Sequence, residues 1–137
     1  MPPAATKPLP VAREHLIALA REHGTPLHVY DAATVRTRCA ELTGRYDVVR
    51  YAQKANGNLA LLRLLRGEGC AIDAVSAGEL ERARAAGFPA EEIVFTSDLF
   101  DRAALLAVAR ERVAVNLGSR DMLAQYAALG LAREVTL

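Results

Sequence analysis

Lys54 is the only lysine after Lys7 in a chain of 137 residues; the other cationic side chains are arginines and three histidines. Arginine stays protonated and cannot form an imine, whereas a lysine amine can act as a nucleophile once it loses its proton. Lys54 lies in Tyr51-Ala52-Gln53-Lys54-Ala55-Asn56, directly after an apolar run. Burial at such a place lowers an ammonium's pKa and frees the amine for chemistry. The plainer alternative is a solvated loop lysine. Asp73, at the end of another apolar run, can stay ionised beside a cationic group and fix that group's protonation, or can simply face solvent. Ser76-Ala77-Gly78-Glu79 fits a capping box, with Ser76 as N-cap and Glu79 three residues on. The same Glu79 can also face a ligand. Two more polar segments follow apolar runs, Thr96-Ser97-Asp98 and Asn116-Leu117-Gly118-Ser119.

The elements that must position these residues repeat. VAREHLIALAREHG predicts a helix ending at Gly24, and TPLHVYD predicts a short strand through Leu27, Val29 and Tyr30. Asp31 offers an N-cap for a helix ending at Gly44. Strands are then expected at Asp47–Ala52, Ala71–Val75, Ile93–Phe95 and over VAVNL. Helices are expected over NLALLRLLRGEG, AGELERARAAG, DRAALLAVARER and SRDMLAQYAALG. Strand starts near 48, 71, 92 and 113 lie about 21 to 23 residues apart, and each interval holds one amphipathic helix.

Nearly continuous apolar strands alternating with helices argue an α/β class with a covered parallel sheet. Such units build either open doubly wound sheets or closed eight-stranded barrels. No glycine-rich phosphate motif marks any turn, so a nucleotide-binding sheet has no motif behind it. In a barrel, chemistry gathers at the C-terminal ends of the strands, where Lys54, Asp73 and Glu79 fall.

Composition narrows the classes. Hydrophobic residues make up 52% and charged residues 24%, which suits one packed core. Seventeen basic against sixteen acidic side chains leave a formal charge of +1, which argues for no nucleic-acid or acidic-membrane partner. No segment approaches the roughly 18 apolar residues of a membrane span. Cys39 and Cys70 do not make a disulfide framework, so two reduced thiols in a cytoplasmic protein are expected. The histidines and cysteines show no metal-ligand spacing. Four of the six prolines fall in the first ten residues, which predicts a flexible, extended lead-in over 1–10. The organisation expected is therefore a lead-in at 1–10, an N-terminal helix, strand and helix over 11–46, and a barrel segment over 47–137.

That segment has room for about four βα units, whereas a complete eight-unit barrel takes about 250 residues. The final REVTL reads as the start of another strand. The chain is thus expected to be the first part of a (β/α)8 TIM-type barrel, incomplete as it stands, with a self-pairing half-barrel as the alternative.

Three stretches carry a family resemblance: GTPLHVYD, then RYAQKANGNLALLRLLRGEGCAIDAVSAGELERARAAGFPAEEIVFT, then VAVNLGSRDMLAQY. In order and spacing, over 24–126, the chain resembles the N-terminal part of the diaminopimelate decarboxylases, within the alanine-racemase-like, fold type III pyridoxal phosphate enzymes. Y-A-x-K-A-N with D-x-V-S-x-G-E-L downstream is the specific part. The resemblance implies pyridoxal 5'-phosphate as cofactor, held covalently by Lys54. It places Ala52 on the strand beneath the ring and Asp73 and Glu79 near the cofactor. It implies decarboxylation of meso-diaminopimelate to L-lysine, in a homodimer acting on a small amino-acid substrate.

The chain departs from the family pattern at Ser97-Asp98-Leu99-Phe100, where a G-N-x-K-like stretch is usual, and at Asn116-Leu117-Gly118-Ser119. These departures bear on substrate more than on cofactor. The family's ring-stacking histidine, glycine-rich phosphate-binding segments, substrate-binding arginine and C-terminal β-domain are expected beyond residue 137. So is the cysteine that the partner subunit offers, and the 137-residue segment by itself is expected to be inactive. Related decarboxylases acting on ornithine, arginine or carboxynorspermidine are the alternative within the family. A non-catalytic α/β scaffold is the alternative outside it, should the natural chain end at 137.

Overall fold

Helix and strand alternate along the chain, and glycine turns at Gly69 and Gly87 lead two of the helices toward the next strand. The computed structural model describes residues 11–130 and 135–136. The lead-in expected over 1–10 lies outside the described residues. Helix α1 spans Arg13–His23 and buries none of its residues. Helix α2 spans Ala32–Thr43. Its N-cap is Asp31, whose carboxylate accepts from the Thr34 N–H at 2.8 Å and the Thr34 hydroxyl at 2.6 Å.

The strand expected over TPLHVYD does not form. Leu27, Val29 and Tyr30 are exposed, and no described strand pairs with the segment. A strand exists only through a neighbour's ladder, and the alternating apolar side chains here have none.

Five parallel strands follow in strict order, β1 (Arg50–Ala52), β2 (Ala71–Ala74), β3 (Ile93–Ser97), β4 (Ala114–Leu117) and β5 (Val135–Thr136). β1 starts later than expected. Its pairing opens where the Val49 carbonyl accepts from the Ala71 N–H at 2.8 Å, and Asp47 and Val48 precede it. β3 runs two residues further than expected, to Ser97. The last strand forms within the REVTL segment and pairs with β4. Helices α3 (Leu59–Gly67), α4 (Ala77–Ala85), α5 (Arg102–Glu111) and α6 (Arg120–Ala127) lie in the crossovers.

Sequential order decides the architecture. A doubly wound sheet reverses its strand order partway; a barrel does not. Right-handed crossovers in unbroken order place the helices on one face. That face carries the core: Ile72, Ala74, Ile93, Phe95, Val115 and Leu117 pack against Leu62, Leu65, Leu80, Ala83, Val108 and Met122 of the helices. Phe95, Phe100 and Tyr126 stack in series, with ring centroids 5.6 and 6.4 Å apart. The chain forms the opening arc of the expected TIM-type barrel.

Two helix exits are built alike. After α3, the Cys70 N–H donates to the Leu65 carbonyl and the Gly69 N–H to that of Arg66, with Gly69 at φ +78°. After α4, the Phe88 N–H donates to the Ala83 carbonyl and the Gly87 N–H to that of Arg84, with Gly87 at φ +99°. Both are Schellman turns, which need a left-handed residue that glycine supplies without strain. Each drives the next residue, Cys70 or Phe88, into the core.

Candidate functional site

The β1–α3 connection is a short turn in which nearly every residue has a structural task. Tyr51 faces the helices, and its hydroxyl donates to the Asn56 carbonyl at 3.3 Å. Burial pushes the Tyr51 phenol's pKa up, and the neighbouring Tyr30 adds to the rise, so the hydroxyl stays a donor. Residues Gln53–Ala55 make one 3₁₀ turn, closed by the Asn56 N–H donating to the Gln53 carbonyl at 3.0 Å. The Asn56 side chain accepts from the Asn58 N–H at 2.9 Å. Asn58 in turn caps α3, its side chain accepting from the Ala60 and Leu61 N–H groups at 2.9 and 3.4 Å.

Lys54 is carried on this turn. Its side chain is exposed, and it enters no salt bridge among the described residues. Within this chain Lys54 has the exposure of a loop lysine. Lys54 borders a polar concavity of about 260 Å³ together with Gln53, Gly57, Ser76, Glu79 and Arg82.

Glu79 reaches that concavity from α4. The expected capping box forms by half. The Ser76 hydroxyl accepts from the Glu79 N–H at 3.3 Å, but the Glu79 carboxylate takes the Val75 N–H at 2.8 Å rather than that of Ser76. Val75 lies just past the end of β2, where its N–H has no place in the ladder, and the carboxylate satisfies it. Glu79 is thus fixed to the end of β2 as well as to its own helix.

Ala52 and Asp73 stand elsewhere. They are register partners across β1 and β2, on the face away from the helices, in one row with Val94 and Ala114. Asp73 is half-buried, and its Oδ1 is buried with no hydrogen-bond partner among the described residues. One level nearer the mouth, the Asn116 amide donates to the Thr96 hydroxyl at 2.8 Å. The four sequence-predicted residues thus fall in two pairs, Lys54 with Glu79 at the rim and Ala52 with Asp73 on the sheet face. The rim concavity does not extend to Ala52 or Asp73.

Two residues of the rim escaped sequence reasoning. Gln53 is fully buried, at 1% exposure, and its amide donates to the Glu79 carbonyl at 3.0 Å. The signal was its parity with Tyr51, which turns it toward the helices. Arg82 sits three residues after Glu79, a spacing that puts both on one helix face. An exposed amine on a hydrogen-bonded turn can bind an aldehyde covalently, and a buried carboxylate oxygen with no donor among the described residues can accept one from a cationic or N–H-bearing group.

A family model described as pyridoxal-dependent decarboxylase, pyridoxal binding domain, matches residues 32–137. The diaminopimelate decarboxylase of Streptomyces coelicolor is 52% identical over 131 residues, covering 90% of this chain and 30% of the relative. That of Escherichia coli K12 is 47% identical over 116 residues, covering 82% and 27%. Among solved structures, a diaminopimelate decarboxylase superposes with a TM-score of 0.79 at 44% identity, over 85% of this chain and 28% of that one. A lysine/ornithine decarboxylase from Vibrio vulnificus, complexed with putrescine, superposes at 0.78 with 24% identity, covering 87% and 34%, a likeness of fold alone. The chain spans under a third of the length of the two curated relatives.

Proposed function

This chain belongs to the pyridoxal-dependent decarboxylases, and we propose that it is the lysine-bearing part of a diaminopimelate decarboxylase that converts meso-diaminopimelate to L-lysine. The observation that carries the reading is Lys54, a primary amine on a turn clamped at the C-terminal end of the first barrel strand. Identities of 47 and 52% to diaminopimelate decarboxylases favour this substrate over ornithine, arginine or carboxynorspermidine. Family membership favours an enzyme over a scaffold.

The residues present fit pyridoxal phosphate. Asp73 Oδ1 is a buried acceptor that lacks a donor, and burying one unmet is costly. Ala52, its register partner, adds only a methyl group beside it. When bound, the cofactor supplies an electron sink for the pair left at the substrate's Cα as carbon dioxide departs. Lys54 Nζ would be the group that holds the cofactor covalently and, when not so engaged, an amine able to hold a proton beside the substrate. Asp73 would hold a protonated partner through Oδ1, Ala52 would stand next to it without filling the space beyond a methyl group, and Glu79 shapes the rim.

The proposal extends to three segments, a lead-in at 1–10, an N-terminal unit at 11–46 and the barrel portion at 47–137. It extends also to a cytoplasmic homodimer without a nucleic-acid partner, consistent with a formal charge of +1. No described helix is long and apolar enough to cross a membrane.

The test is borohydride reduction of the full-length protein with pyridoxal phosphate, followed by peptide mapping and an assay of L-lysine release from meso-diaminopimelate. A stoichiometric adduct on Lys54 with lysine formation is expected. Adduct without lysine formation would move the substrate to another amino acid, and scattered labelling would remove Lys54 from the site.

A further inference from the structure

We infer that Gln53 is the positioning residue for Lys54, its buried amide fixing the turn that presents the ε-amine to the first turn of α4. The inference rests on the cofactor role proposed for Lys54 and goes beyond it, because it assigns a task to a neighbour that never meets the ligand.

Gln53 is the one fully buried polar side chain among the described residues. Its backbone and its side chain act on different elements. The carbonyl accepts from the Asn56 N–H at 3.0 Å and so closes the turn around Lys54. The side-chain amide donates to the Glu79 carbonyl at 3.0 Å, twenty-six residues on. Glu79 is itself tied through its carboxylate to the Val75 N–H at the end of β2. A continuous path of hydrogen bonds therefore runs from the Lys54 turn through Gln53 and Glu79 to the neighbouring strand.

The amide is a costly choice for a core position. Its Oε1 is buried and has no partner among the described residues. A methionine would fill the same length of space without an unmet acceptor. What methionine lacks is a donor aimed at the Glu79 carbonyl. The amide therefore supplies placement, and that placement falls on the residue immediately before the reactive amine. A lysine side chain has many rotamers, and a loose turn would spread its amine over many positions.

The experiment compares wild type with Gln53→Met in the full-length protein. Three quantities are read: the rate at which pyridoxal phosphate forms a borohydride-reducible linkage at Lys54, the pH midpoint of that linkage's absorbance band, and hydrogen exchange at the Asn56 amide. With the thermal midpoint of unfolding nearly unchanged, the expected results are linkage about fivefold slower, exchange about fivefold faster, and a displaced pH midpoint, in keeping with one lost hydrogen bond. Should Met not be tolerated, Gln53→Glu carries the same test. Because a buried glutamate protonates and can donate to the Glu79 carbonyl in its turn, that variant is read at a pH where the linkage rate no longer changes, and retention of the wild-type rate there is the sign of a restored donor. A folded Gln53→Met variant with unchanged linkage rate and pH midpoint would overturn the positioning role and leave the Lys54 assignment standing. Absence of any linkage at Lys54 in wild type would overturn the assignment and the inference together.

Discussion

Asp73 lies directly opposite Ala52 in the β1–β2 ladder, so that a carboxylate oxygen with no donor of its own adjoins the smallest side chain of the preceding strand that carries a Cβ. Replacing the acid by its amide removes the charge and leaves the shape. Asp73→Asn in the full-length enzyme is expected to lower decarboxylation about tenfold or more, the scale of one lost charged hydrogen bond. Its urea midpoint should stay close to wild type. Unchanged turnover would return Asp73 to a passive strand position.

Filling the space is a separate test. Ala52→Leu should weaken retention of pyridoxal phosphate while the strand keeps its pairing, since β1 bonds through its backbone. Equilibrium dialysis against the cofactor, beside circular dichroism, separates the two effects.

Lys54→Ala is expected to abolish the borohydride-stable adduct with the fold intact, because the Lys54 side chain makes no salt bridge among the described residues. A retained absorption band in this variant would contradict the assignment.

The helix exits predict a graded response. Gly87→Ala and Gly69→Ala both force a left-handed backbone on an L-residue, at a cost of about 1–2 kcal/mol. At Gly87 the new Cβ also meets the Arg66 guanidinium at 3.3 Å, whereas at Gly69 it meets nothing within 4 Å. Denaturant titration should place Gly87→Ala below Gly69→Ala in stability, and equal losses would mean that Arg66 moves aside freely.

Cys70 offers a pH test. Burial, then the hydrogen bond and charge of Cys39, raise its thiol from the ordinary range to about 11. The unfolded chain releases this proton first, so stability should fall as pH climbs from about 9 toward 11 and level off above. At neutral pH the thiol should resist iodoacetamide in the native state and react on unfolding. Rapid native labelling would contradict the burial of the pair.

Periodicity revealed the sheet because strand and helix differ in their apolar repeat, and because each βα unit here has nearly the same length. It could not reveal that Leu27, Val29 and Tyr30 lack a partner, since pairing is a property of two segments and the alternation belongs to one. The site was legible where a residue type is rare, as with Lys54. Gln53 went unread because an uncharged amide before a lysine looks like a spacer until its burial is known. Ser76 was read correctly as the N-cap, but the Glu79 carboxylate's choice of Val75 over Ser76 depends on which N–H the strand end leaves unbonded.

The unbroken strand order also bears on synthesis. Each strand pairs with the one that follows after a single helix, so every loop closed is short and inexpensive in entropy. The bond from Gln53 to Glu79 spans only 26 residues. As the chain leaves the ribosome, the lysine turn can therefore take its final shape once α4 has emerged, before the later strands have done so. The reactive amine would then be set early, and later parts of the chain would assemble around it.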